Sequence, residues 1–188
     1  GYTGVTGDTW RNFVVTRLEP SGQLDTSFNA TGTKYIGFGT WNDFNGGVAV
    51  WADGTVVAAG TNYVGGAKGY DLGVVRLTAS GAFDPSFNGT GQQNIDFAGA
   101  SEHDLARDLA VQADGRVVVT GYHNQAGTGD DFEVARLTAD GQLDLSFNGT
   151  GKQTIDFGNT PESPTGIVVQ PDGAVVVAVI SGQGATRN

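Results

Sequence analysis

The sequence predicts an all-β protein made of three tandem repeats of four strands each. Three observations carry this: a composition of turn formers, two blocks that recur in constant order at a period of about 60 residues, and short apolar runs punctuated by Asp-Gly and Ser-Gly pairs. Glycine supplies 31 of 188 residues, and the acids comprise 16 Asp but only four Glu. Glycine and aspartate favour turns and disfavour helix interiors.

The first block, FVVTRLEPSGQLDTSFNATG from Phe13, returns as LGVVRLTASGAFDPSFNGTG from Leu72 and as FEVARLTADGQLDLSFNGTG from Phe132. The second, GVAVWADGTVVAAG from Gly47, returns from Leu109 and Ile167 with Asp53, Asp114 and Asp172 in register. The period divides one repeat domain, 1–188, into the last strand of a preceding repeat (1–7), repeats at 8–60, 61–121 and 122–182, and a tail at 183–188.

Each Asp-Gly pair lies between two apolar runs and predicts a two-residue type I′ hairpin, because both residues tolerate positive φ. Val117 to Val119 and Val175 to Val177 are uninterrupted β-branched runs, which predict strands covered on both faces. Arg17, Arg76 and Arg136 stand at one position in the block and predict ion pairs with Asp25, Asp84 or Asp144. Gly22, Gly81 and Gly141 mark a second turn. Phe28, Phe87 and Phe147, alone among turn formers, predict plugs that seat each loop in the core. Ile95 and Phe97, like Ile155 and Phe157, flank Asp96 and Asp156 and predict a short strand with one wet face.

Four-stranded units repeated radially make a β-propeller of typically 4 to 8 blades, so the chain reads as a propeller-like array belonging to a larger propeller or assembly. The opening GYTGVTG matches GRVVVTG from Gly115, so the first and last strands duplicate one another. That phase predicts open blade ends that continue into neighbours or meet other copies. The pattern R-L-x-x-x-G-x-x-D-x-S-F, then G-x-G, an apolar strand, x-D-G and V-V-V-x-G, resembles the delta-60 repeat family. The resemblance covers nearly all of the chain and implies a bacterial β-propeller repeat of unassigned function in secreted or cell-surface proteins. The first repeat departs from the pattern with Gly37 for Asp96 and Asp156, Ala30 for Gly89 and Gly149, and Trp51 for Gln112 and Gln170.

A net charge of −10 with no cluster of Arg and Lys disfavours nucleic acid. No apolar run approaches the roughly 20 residues of a membrane-spanning helix, so membrane insertion is not expected. Cysteine is absent, which removes disulfides and thiolate chemistry. The Asn-x-Thr triplets at Asn29, Asn88 and Asn148 suit Asx-type turns. Glu102, His103, Asp104, His123, Asp130 and Glu162 are the best non-repeated acid and base candidates; a hydrolase or lyase would require Glu102, His103, His123 or Glu162 to converge, and no catalytic residue is assigned. Calcium is the one cofactor considered, with Asp130 and Asp131 of GTGDD as ligands and DFNGG at Asp43 as a second loop. The variable loops supply aromatic candidates for a glycan or protein ligand: Trp41, Phe44, Tyr63, Tyr70, Tyr122 and His123. The reading that follows is a non-enzymatic extracellular structural or adhesive module, with other copies or neighbouring repeats as partners.

Overall fold

The computed structural model describes residues 2–3, 12–38, 44–65, 69–97, 103–125, 129–158 and 160–182. These residues form strands and turns alone. The strands are β1 (Tyr2–Thr3), β2 (Asn12–Thr16), β3 (Thr33–Ile36), β4 (Phe44–Val50), β5 (Val56–Tyr63), β6 (Tyr70–Leu77) and β7 (Gln92–Ile95). They continue as β8 (His103–Val111), β9 (Val117–Gln125), β10 (Gly129–Leu137), β11 (Lys152–Ile155), β12 (Glu162–Val169) and β13 (Val175–Ser181).

Two complete antiparallel meanders, β4-β5-β6-β7 and β8-β9-β10-β11, are the second and third blades. A single parallel bridge, Tyr70 to His103, joins them. Before them stands the three-stranded blade β1-β2-β3, and after them the hairpin β12-β13. The innermost strands β4, β8 and β12 pack against one another in succession. They approach closely: a Cβ on Gly47 of β4 would sit 2.6 Å from the Leu109 amide nitrogen of β8, so only glycine fits. Each sequence repeat therefore straddles two blades, taking the outer strands of one and the inner strands of the next.

The core lies between blades. Phe13, Val15, Phe28 and Ile36 of the first blade meet Val56, Ala58, Val75 and Leu77 of the second. Leu72, Val74, Phe87 and Ile95 of the second meet Val117, Val119, Ala135 and Leu137 of the third. This is why β5 is buried along almost its whole length: its alternate residues face different neighbours. In β13 a similar valine run is exposed at every second residue, with Val176 and Ile180 open to solvent.

Three sequence expectations are corrected. Val175 to Val177 are not covered on both faces: only the face of β13 carrying Val175, Val177 and Val179 packs against another blade among the described residues, so Val176 is exposed. The Asp-Gly hairpin is a three-residue turn, in which the Gly54 amide donates to Trp51 O and the Trp51 amide to Thr55 O. Only the glycine has positive φ, 86° at Gly54. The aspartate instead stays in an ordinary conformation and accepts the amide two residues on, Asp53 Oδ1 from Thr55 N at 2.9 Å, an arrangement repeated at Asp114 and Asp172. The outermost strands end at Ile95 and Ile155, so Asp96 and Asp156 lie beyond them, where the chain leaves one blade for the next.

Candidate functional site

The blades present two unlike ends. At one end lie the Asp-Gly turns, the Ser-Gly or Asp-Gly turns of the first block, and the D-x-S-F-N loops. At the other lie the variable hairpin tips after β5 and β9 and the crossovers from β7 to β8 and from β11 to β12.

The repeated end is built the same way each time. Arg17 Nε lies 2.7 Å from Asp25 Oδ2, Arg76 Nε 2.8 Å from Asp84 Oδ2, and Arg136 Nε 2.8 Å from Asp144 Oδ2. Each guanidinium also covers the plug ring of its own loop, at 4.9 Å from Phe28, 5.0 Å from Phe87 and 4.9 Å from Phe147. Arg116 adds a second cation to Asp144 at 2.9 Å. Hydrogen bonds from Ser146, side chain first, with the Arg136 charge, hold the Asp144 carboxyl down at about 2 although burial opposes them. Asn29, Asn88 and Asn148 adopt left-handed backbone, and each carboxamide donates to a carbonyl four residues on, the geometry of a turn.

The first-block turns also join neighbours. Arg17 Nη1 donates to Ala79 O of the next blade at 2.6 Å, and Arg76 Nη1 donates likewise to Ala139 O. The amides of Asn29 and Asn88 donate to Ser80 O and Asp140 O. Gly81 and Gly141 make room for the incoming plug, since a Cβ would lie 3.1 Å from the Phe28 ring and 2.9 Å from the Phe87 ring.

At the variable end, Tyr63 and Tyr70 meet edge-on at 5.0 Å, and Tyr70 meets His103 at 5.1 Å. The Tyr70 amide donates to His103 Nδ1 at 3.3 Å. Tyr122 is covered by the Arg107 guanidinium, which donates to its hydroxyl at 3.0 Å. Trp41, Asp43 and Glu102 lie outside the described residues, as does the side chain of Phe44, whose backbone opens β4. The aromatic candidates thus fall into separate contacts and do not line one pocket among the described residues.

His123 stands on β9 between Asp104 on β8 and Asp131 on β10, directly opposite both in register. Its Nδ1 lies 2.8 Å from Glu133 Oε1 and its Nε2 3.7 Å from Asp131 Oδ2. Glu133 is wholly buried, and burial pushes its carboxyl up to about 8. The hydrogen bond with Glu133 raises His123, and burial raises Asp131. Residue identity explains why the sequence missed Glu133: its counterparts are Val14 and Gly73, so it carries no repeat signal.

Two groups of three carboxylates also form at this end. Asp71, Asp96 and Asp104 offer oxygens within 4.8 Å of one another, and so do Asp131, Asp156 and Glu162. Asp130, the other half of the GTGDD candidate, is not in either group. The signal was present in three repeat columns, Asp71 with Asp131, Asp96 with Asp156, and Asp104 with Glu162, but no motif draws attention to residues so far apart in sequence.

The fold and the repeated end define a class, the β-propeller assembled from tandem repeats. A family profile described as a domain of unknown function (DUF5122) beta-propeller matches residues 5–28, 52–87 and 112–147, just over half of the chain. The chain belongs to that family. No curated protein matches it.

Proposed function

We propose that this chain is a non-enzymatic structural repeat module of the delta-60 type, placed outside the cell or on its surface, whose open blade faces are covered by the same repeat surface of a second copy. The observation behind this reading is a junction made twice and left open a third time. Phe28 packs in one core with Leu77, and Phe87 in another with Leu137. The corresponding third pair would be Phe147 with Leu18 of another copy. Leu77 and Leu137 are fully buried, whereas Leu18 is 57% exposed.

The polar half of the junction is open too. Among the described residues, Arg136 Nη1 and the Asn148 amide lack the cross-blade carbonyls that serve Arg76 and Asn88. A Cβ on Gly22, the counterpart of Gly81 and Gly141, would meet nothing. Beside Phe147 runs an apolar groove of about 490 Å³, lined also by Phe132, Val134, Ile155, Phe157 and Val177. A β2-β3 unit from a second copy fits there, with Leu18 entering the groove and the carbonyls at Pro20 and Ser21 meeting Arg136 and Asn148. Burial of such apolar surface supplies the driving force, about 25 cal/mol per Å².

Light scattering across a concentration series tests this. Mass above the monomer is expected for the wild type, with return to monomer for Phe147→Asp and for Leu18→Asp. A wild type that stays monomeric at every concentration would overturn it. A second reading, recognition of a glycan or protein at the variable end, is favoured by the Tyr63, Tyr70 and His103 ring cluster.

A further inference from the structure

We propose that Asp131, Asp156 and Glu162 form a divalent-cation site, suited to Ca²⁺, that clips the third blade to β12, and that Asp71, Asp96 and Asp104 form its second copy one blade earlier. Each group is built from the same three places: the third strand of a blade, the residue just past its fourth strand, and the start of the next blade's innermost strand. Proximity of acids alone would not establish a site. The further observation is that Glu162 is 0% exposed, spends Oε1 on the Thr160 hydroxyl at 2.7 Å, and leaves Oε2 buried with no hydrogen bond. Asp131, 9% exposed, likewise has a buried Oδ1 with no donor.

Buried carboxylate oxygens without donors are costly, and crowding three carboxylates compounds the cost through like-charge repulsion. A cation relieves both. The donor set is entirely carboxylate oxygen, with no cysteine in the chain and with His123 engaged by Glu133, which favours a hard ion over zinc or copper. Ca²⁺ accepts six to eight oxygens in flexible geometry, whereas Mg²⁺ demands a near-ideal octahedron and dehydrates reluctantly, so carboxylates drawn from three separate chain segments suit the larger ion. Water completes the six to eight ligands that Ca²⁺ takes.

The chain contains its own control. At the first crossover the same columns hold Asn12, Gly37 and Asp43, so two of the three carboxylates are missing. That junction is expected to bind no ion, giving two sites per chain.

Calorimetric titration of the full chain, stripped with chelator, with CaCl₂ tests this independently of self-association, because stoichiometry is read per chain. Two equivalents are expected, with dissociation constants of about 0.1–1 mM and a melting temperature that rises with Ca²⁺ more than with Mg²⁺. Glu162→Gln should remove one equivalent. Asp156→Asn, which changes an exposed residue and whose fold is checked by circular dichroism, should do the same. Asp172→Asn, in an exposed turn at the opposite end, should leave both. Absence of Ca²⁺ binding up to about 10 mM, well above the range of weak protein sites, or two equivalents retained in both Glu162→Gln and Asp156→Asn, would overturn the proposal.

Discussion

The two ends of the blades are made of the same strands yet solve different problems. At the repeated end each arginine–aspartate pair and plug phenylalanine holds its own loop, and Arg17, Arg76, Phe28 and Phe87 also reach the next blade, so the same residues recur. At the variable end the hairpin tips differ in length and sequence, and acidic side chains meet across crossovers. The contrast teaches that recurrence tracks the work of joining blades, while the residues free to diverge are those at the rim.

The largest expected effect lies at the repeated end. Phe87→Ala should cost about 3–5 kcal/mol, the range for a buried aromatic truncated in a core, because its ring is fully enclosed against the third blade. Phe147→Ala, with the same local contacts to its arginine but a half-buried ring, should cost about 1–2 kcal/mol less. Urea unfolding of the two variants, measured where the protein is monomeric, checks the difference; equal losses would mean that the plug acts within its own loop.

A smaller effect is expected from Asp144→Ala, which strips a carboxylate from both Arg136 and Arg116 and should cost about 2–3 kcal/mol at neutral pH. Because the folded carboxyl sits at about 2, below its ordinary value of 3.8, its contribution is present above 3.8 and fades as pH falls toward 2. Wild type and variant should therefore converge in stability over that acid window, as thermal melts across pH 2 to 5 would show.

The smallest is at the variable end. Tyr70→Ala removes edge contacts to Tyr63 and His103 and should cost about 1–2 kcal/mol. A glycan-array signal lost in this variant with stability retained would select the ligand-binding reading. A loss as large as that of Phe87→Ala would break the division between the two ends.

The Arg and Asp of the first block were legible in sequence because they recur at one spacing within one short segment, and the loop lets the carboxylate fold back eight residues onto the guanidinium. The plug role of Phe28 and Phe87 was legible for the same reason. What the plugs fill was not, since Gly81 and Gly141 belong to the neighbouring blade. The aromatic candidates read as one set in the sequence, but Tyr63 and Tyr70 belong to the second blade and Tyr122 and His123 to the third. Glu133 was hidden by its position in an otherwise apolar strand.

By itself the sequence determined the all-β class, the period and the places of the turns, because these follow from local backbone preference and from residues that recur. It did not determine the turn class at Asp-Gly, where a side-chain acceptor lets aspartate keep negative φ and leaves positive φ to glycine alone. Only the tertiary structure decided which two of three similar junctions are buried and which carboxylates meet. Those outcomes depend on the packing of one blade against the next, and Asp131 and Glu162, on separate strands of neighbouring blades, come together only when the crossover closes.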